Sequence, residues 1–94
     1  MSQRVQKFPL GRIVATPGAL EALQRAEQDP QEFLTRHGAG DWGALDDADR
    51  RENELSLHAG FRLLSAYRTR TGDTVWLITE ADRSVTTLLL PDEY

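Results

Sequence analysis

Apolar positions follow two different rhythms along this chain. Over residues 61–90 they run in β-type blocks, FRLLSAYRT, TVWLIT and SVTTLLL, rich in β-branched and aromatic residues. Gly72-Asp73 and Ala81-Asp82-Arg83 separate the blocks. Such runs with short polar punctuation predict a three-stranded antiparallel meander. In the first run Phe61, Leu63, Ser65, Tyr67 and Thr69 alternate with Arg62, Leu64, Ala66, Arg68 and Arg70. In the second, Trp76 and Ile78 alternate with Val75, Leu77 and Thr79; in the third, Thr86, Leu88 and Leu90 alternate with Val85, Thr87 and Leu89. Both faces therefore carry apolar side chains. One is expected to meet helices. The other is expected to be covered by the N-terminal segment, to be covered by a partner subunit, or to stay partly exposed.

Before residue 61 the rhythm is helical, after one short strand at residues 12–15. Thr16-Pro17 is a start signal, a capping hydroxyl followed by a residue that needs no N–H bond in the first turn. The helix it opens is expected over residues 17–28, with Leu20 and Leu23 as its stripe and Ala19, Ala22 and Ala26 beside them. Asp29-Pro30, with Glu32 at the capping-box position, opens a second helix over residues 30–37, and Gly38 stops it. Asp46 caps a third over residues 47–59, with Asp47 and Asp49 favoured by the helix dipole and Gly60 as the stop. Its apolar stripe is thin: Ala48, Leu55 and Ala59. Trp42 anchors the glycine-rich loop between the second and third helices.

The expected fold is α+β: an N-terminal strand, three helices, then a three-stranded antiparallel meander with the helices packed on one sheet face. Ninety-four residues make one domain, with residues 1–7 frayed. The expected core is Leu20, Leu23, Phe33, Leu34, Trp42, Leu55, Leu63, Val75, Leu77 and Leu89.

Charge narrows the function classes. The net charge is −4 and unevenly spread: +3 over residues 1–20, −6 over residues 21–54 and −1 over the rest. Such a chain has no global attraction for nucleic acid, which is not expected as a partner. The absence of cysteine excludes disulfides, thiolate metal sites and a thiol nucleophile. No apolar run is long enough to span a bilayer, and the first ten residues hold no signal core; the cytoplasm is the expected location.

No catalytic, cofactor-binding or metal-binding set emerges. His37 and His58, with Asp41 or Asp46, are the nearest to a metal or base constellation. Metal sites need three or four ligands at set spacings, so helix-terminus histidines met by carbonyls or solvent are the preferred reading. Asp46, Asp47 and Asp49 read as capping residues, not cation ligands. Arg62, Arg68 and Arg70 lie on one face of the first meander strand, with Arg83 in the second turn. Beside Tyr67 or Trp76 they suit a phosphate backbone or a stacked base; pairing with Asp73, Glu80 and Asp82, or protection of a sheet edge by charge, is the simpler reading.

The blocks FPLGRIVATPGAL, GDWGAL and LLSAYRTRTGDTVWLITEADRSVTTLLLPDEY cover most of the chain. They resemble a group of small bacterial proteins of plasmids and integrated elements, some labelled plasmid-related. The resemblance implies a mobile-element setting in the bacterial cytoplasm and supplies no catalytic residue. A weaker likeness is to RelE/ParE-type toxins, which place helices before an antiparallel sheet with basic residues; the acidic net charge departs from that pattern.

The expected function is a non-enzymatic protein–protein interaction or accessory module. Its candidate surface is Tyr67, Trp76, Ile78 and Leu88 with Arg62, Arg68 and Arg70, facing a protein partner or a second copy. One alternative is a toxin-like ribonuclease using the three arginines and Tyr67. Another is an acidic DNA mimic built from Asp41, Asp46, Asp47, Asp49, Glu52 and Glu54.

Overall fold

A computed structural model describes residues 5–94. The expected fraying of residues 1–4 lies outside the described residues; of residues 5–7, Lys7 donates its amide to the Gly38 carbonyl at 2.7 Å. The chain is α+β, with three helices and one four-stranded mixed sheet. Strand β1 (Arg12–Ala15) leads into helix α1 (Pro17–Arg25), α2 (Pro30–Gly38) and α3 (Asp47–Ala59). Strands β2 (Leu63–Arg68), β3 (Thr74–Thr79) and β4 (Val85–Leu89) follow, and a 3-10 turn, Pro91–Glu93, precedes Tyr94.

The local signals behave as the sequence implies. Thr16, Asp29 and Asp46 each accept a backbone N–H at a helix start, and Gly60 closes α3 in the left-handed region at φ 81°. Helix α1 stops at Arg25, earlier than the expected Gln28. There Glu27 takes φ 53° and the Gln28 amide reaches back to the Leu23 carbonyl at 3.0 Å. That six-to-one bond is a helix terminator normally built on glycine.

The meander is present, but within a larger sheet of order β1-β4-β3-β2. β2, β3 and β4 pair antiparallel, while β1 joins β4 in parallel with Arg12 opposite Val85 and Ala15 opposite Leu88. The β2 edge is not left open. Trp42 and Ala44 bond the Ala66 backbone, and α3 lies beside β2. Backbone groups that would template another strand are thereby occupied.

The register assigns each side chain to a face. Leu63, Ser65 and Tyr67 stand opposite Thr79, Leu77 and Val75, and Leu77 stands opposite Leu88. This inner face packs on Ala19, Ala22 and Leu23 of α1 and Phe33 and Leu34 of α2. A second cluster joins Phe8, Trp42 and Leu63, with Leu10, Leu45 and Leu57 against it. Phe8 and Leu10 of the N-terminal segment therefore pack on the helix side, not over the outer face.

Two expected core residues are displaced. Leu20 is 50% exposed, because the buried stripe of α1 is Ala19, Ala22, Leu23 and Ala26, and Leu20 lies about 100° around the helix from Ala19. The alanines set the contact and let α1 sit close to β4. Leu55 is 66% exposed, because α3 turns Asn53 and Ser56 inward. Phe61, expected within β2, precedes it and is exposed.

Candidate functional site

Two constellations stand out, one sealed inside the fold and one open on the sheet. The sealed one is centred on His37 in the last turn of α2. Its Nδ1 lies 2.5 Å from the Ser65 hydroxyl and its Nε2 2.8 Å from that of Thr79. Thr79 meets Thr86 at 2.7 Å, and Thr86 donates to the Leu10 carbonyl at 2.7 Å. One proton per hydroxyl orders the whole chain. Thr86 spends its proton on Leu10, so it accepts from Thr79. Thr79 then accepts from His37 Nε2–H, and Nδ1 accepts from Ser65. The imidazole is neutral in one tautomer. Burial pushes its pKa down to about 4, with the Arg83 charge second. Phe8 and Trp42 set ring edges against it at 5.2 and 5.8 Å.

A hydroxyl donating to a histidine is the start of a nucleophile–base pair. Here Ser65, His37, Thr79 and Thr86 have no exposed surface at all, so no substrate reaches them. They form a satisfied polar core. His37 is thus a core residue and not a helix-end histidine in solvent, while His58 is exposed in the last turn of α3. Among the described residues no group of three His, Asp or Glu side chains converges to hold a metal ion.

The open constellation lies on the outer face. Arg62, Leu64, Trp76, Ile78 and Tyr94 line a groove of about 260 Å³. Trp76 is half-buried and meets the Tyr94 ring edge-on at 5.8 Å. Arg62 donates to the Tyr94 hydroxyl at 2.7 Å, with its guanidinium 5.7 Å from the ring centre. Tyr94 is 68% exposed and forms the outer wall. It is held there by Glu93, whose carboxylate accepts from the Thr16 hydroxyl at 2.6 Å and the Leu90 amide at 2.7 Å. Those bonds, with the Gly18 amide, hold the Glu93 carboxyl below the usual carboxylate range. The tail is thus tied to the start of α1. Other depressions are poorer sites. The one beside Glu21, Gln24 and Arg25 is polar, and Arg25 there pairs with Asp73 at 3.2 Å. The cleft under Gln6, Leu10 and Leu34 holds about 80 Å³.

The expected interaction surface is only partly assembled. Trp76, Ile78 and Arg62 share the groove, and Arg68 is exposed on the same face at the end of β2. Tyr67 does not belong there. It is 1% exposed on the inner face, stacked on Phe33 at 5.1 Å, with the Arg36 guanidinium 4.5 Å from its ring centre and its hydroxyl donating to the Asp41 carbonyl. Leu88 is fully buried against the helices, because it stands opposite Leu77. Ile78 keeps its place in the groove but is itself 6% exposed, a floor more than a contact. Arg70 is drawn away to the end of α1, where its side chain donates to the Glu27 carbonyl at 3.3 Å.

Tyr67 faces opposite to Arg62 and Arg68 by simple strand alternation, a signal available in the sequence. Leu64 shares the arginines' parity and was equally legible. Tyr94 carried no such signal, since its place depends on the tail folding back.

The other arginines and acids have local tasks. Arg83, at φ 61°, donates to the carbonyls of Phe61 at 2.7 Å and Ser56 at 3.1 Å, closing the end of α3. Asp41 pairs with Arg36 at 2.8 Å, Asp46 caps α3, and Glu54 accepts the Trp42 indole N–H at 2.8 Å. Three of the six carboxylates offered as a DNA mimic are therefore engaged inside the fold. The ribonuclease constellation also separates, because Tyr67 and Arg70 leave the groove.

Among the described residues no helix is long and apolar enough to cross a membrane. Comparison with known proteins finds no matching family model, no matching curated protein and no matching solved structure.

Proposed function

We propose that this chain is a non-enzymatic protein-interaction module that works through the outer face of its sheet. The observation that carries the reading is the apolar groove between Trp76 and Tyr94, on a face the helices leave uncovered. A half-buried tryptophan and an exposed tyrosine beside an arginine are the residue types that anchor protein interfaces. The Ser65–His37 pair, the nearest approach to a nucleophile and base, is sealed from substrate, which favours binding over catalysis.

The test is selection from a displayed peptide library on the immobilised protein. Selected peptides are expected to lose about tenfold or more in affinity for Trp76→Ala. They should keep full affinity for Leu20→Ala, which removes an exposed leucine on the helix side. Thermal melts establish that both variants fold. Failure to enrich any peptide, or equal binding to Trp76→Ala, would remove the proposal.

A further inference from the structure

The charges around the groove indicate what fills it, an inference that rests on the interaction reading above. The four strands contain no acidic residue, in a chain whose net charge is −4. Arg12 and Arg68 occupy outward positions of the sheet, opposite Val85 and Thr74, and Arg62, just before β2, lines the groove on the same side. None of the three has a carboxylate partner among the described residues, and Glu80, one position beyond β3, pairs with none of them. Arg25 and Arg36, in contrast, are paired with Asp73 and Asp41. Arg62 is also preorganised, since its guanidinium lies 5.7 Å from the Tyr94 ring centre and donates one N–H to the Tyr94 hydroxyl. An arginine held by an aromatic ring with donors to spare is suited to a carboxylate.

We infer that the occupant of this face is an extended peptide segment with an apolar anchor for the Trp76–Tyr94 groove and carboxylates on either side for Arg62 and Arg68. Arg62, one position before β2, and Arg68, its last residue, are six positions apart. At the strand rise of ~3.3 Å per residue they are about 20 Å apart, matching acidic residues six positions apart in an extended ligand. A second copy of this chain fits less well, because face-to-face stacking sets arginines against arginines with no strand acid to offset them. A nucleic acid fits less well too. Tyr94 already packs edge-on against Trp76 at 5.8 Å, taking up aromatic surface that a base would need for stacking.

The test is fluorescence anisotropy with a short labelled peptide bearing two aspartates six positions apart around a central tryptophan. Parallel arms carry asparagines or lysines in place of the aspartates, a single-stranded oligothymidine, and the protein alone across concentrations in sedimentation. The acidic peptide is expected to bind at least about tenfold tighter than the asparagine peptide, with an advantage that shrinks as salt rises. The advantage should vanish in the Arg62→Gln/Arg68→Gln double variant while the asparagine peptide binds that variant unchanged. Equal binding of the three peptides overturns the charge inference and leaves the interaction module standing. Binding of oligothymidine alone, or a Trp76-dependent dimer without peptide binding, overturns it in favour of that occupant. If no arm binds and the protein is monomeric, this inference and the proposed function both fall.

Discussion

The carboxamide of Asn53 closes both backbone groups of Leu64. Its Nδ2 donates to the Leu64 carbonyl at 2.5 Å and its Oδ1 accepts the Leu64 amide at 3.1 Å. A helix side chain thus does at this position what a neighbouring strand would do. Asn53→Ala is expected to destabilise by about 1–3 kcal/mol, since a half-covered edge loses both partners. Asn53→Asp should cost at least as much, because it sets a carboxylate oxygen against a carbonyl oxygen. Urea midpoints at unchanged m-value measure both; a cost under about 0.5 kcal/mol for Asn53→Ala would show that water replaces the pair.

Stability should fall on mild acidification because of His37. Its pKa is about 4 in the folded chain and near the ordinary 6.5 when unfolded. Above pH 6.5 both states are neutral and the full stability is present. Below it the unfolded chain takes up a proton that the folded chain refuses, so stability drops until the pH passes about 4. The total over that window is roughly 3 kcal/mol. Denaturation at several pH values reads the slope, and an NMR titration of the His37 ring assigns it. A ring titrating near 6.5 in the folded protein would contradict the assignment.

Gly43 should tolerate no side chain. It sits at φ 78°, and a Cβ there would overlap the Ala66 carbonyl oxygen and press on the Tyr67 ring. Gly72, at φ 90°, has open space around it. Gly72→Ala is therefore expected to cost only the left-handed backbone penalty of about 1–2 kcal/mol. Gly43→Ala should cost about 3 kcal/mol or more. Equal losses in paired thermal melts would mean that the loop moves aside freely.

One substitution should stabilise. Glu27 holds a left-handed conformation, and the bond that Arg70 makes there is to its backbone carbonyl. Glu27→Gly relieves the strain without removing a side-chain contact seen in the structure. A gain of about 0.5–1 kcal/mol is expected, raising Tm by a few degrees. An unchanged or lowered Tm would show that the left-handed turn is not strained.

What the sequence disclosed was mainly local. Thr16, Asp29, Asp46 and Gly60 act where they stand, and the meander is announced by its own turns. Features that depend on distant partners were hidden. The inner face of α3 escaped a count of apolar residues because its central contact is an asparagine standing in for a strand. Phe8 and Tyr94 joined the core and the groove through segments that fold back. The polar core was half visible, in that Ser65, Thr79 and Thr86 put small hydroxyls at alternating inward positions, but nothing tied them to His37. Tyr67 leaves the surface by parity within its own strand, which the sequence does show, whereas the inward place of Leu88 follows only from its register opposite Leu77, which it does not.

The parallel seam between β1 and β4 has a consequence for how the molecule assembles. The meander can zip up through neighbouring turns, whereas Arg12 must find Val85 from the far end of the sequence. Ordering so long an intervening loop is slow, and contacts of this kind lower folding rates. The first strand is expected to dock last, after the helices have formed a surface to receive it. Until then β4 presents a bare edge to neighbouring chains. Ile13 lies on the outermost strand and stays 43% exposed. In pulse-labelling hydrogen exchange during refolding, the amides of Val14 and Thr16 should gain protection after those of β3, and aggregation during refolding should be worst in that interval.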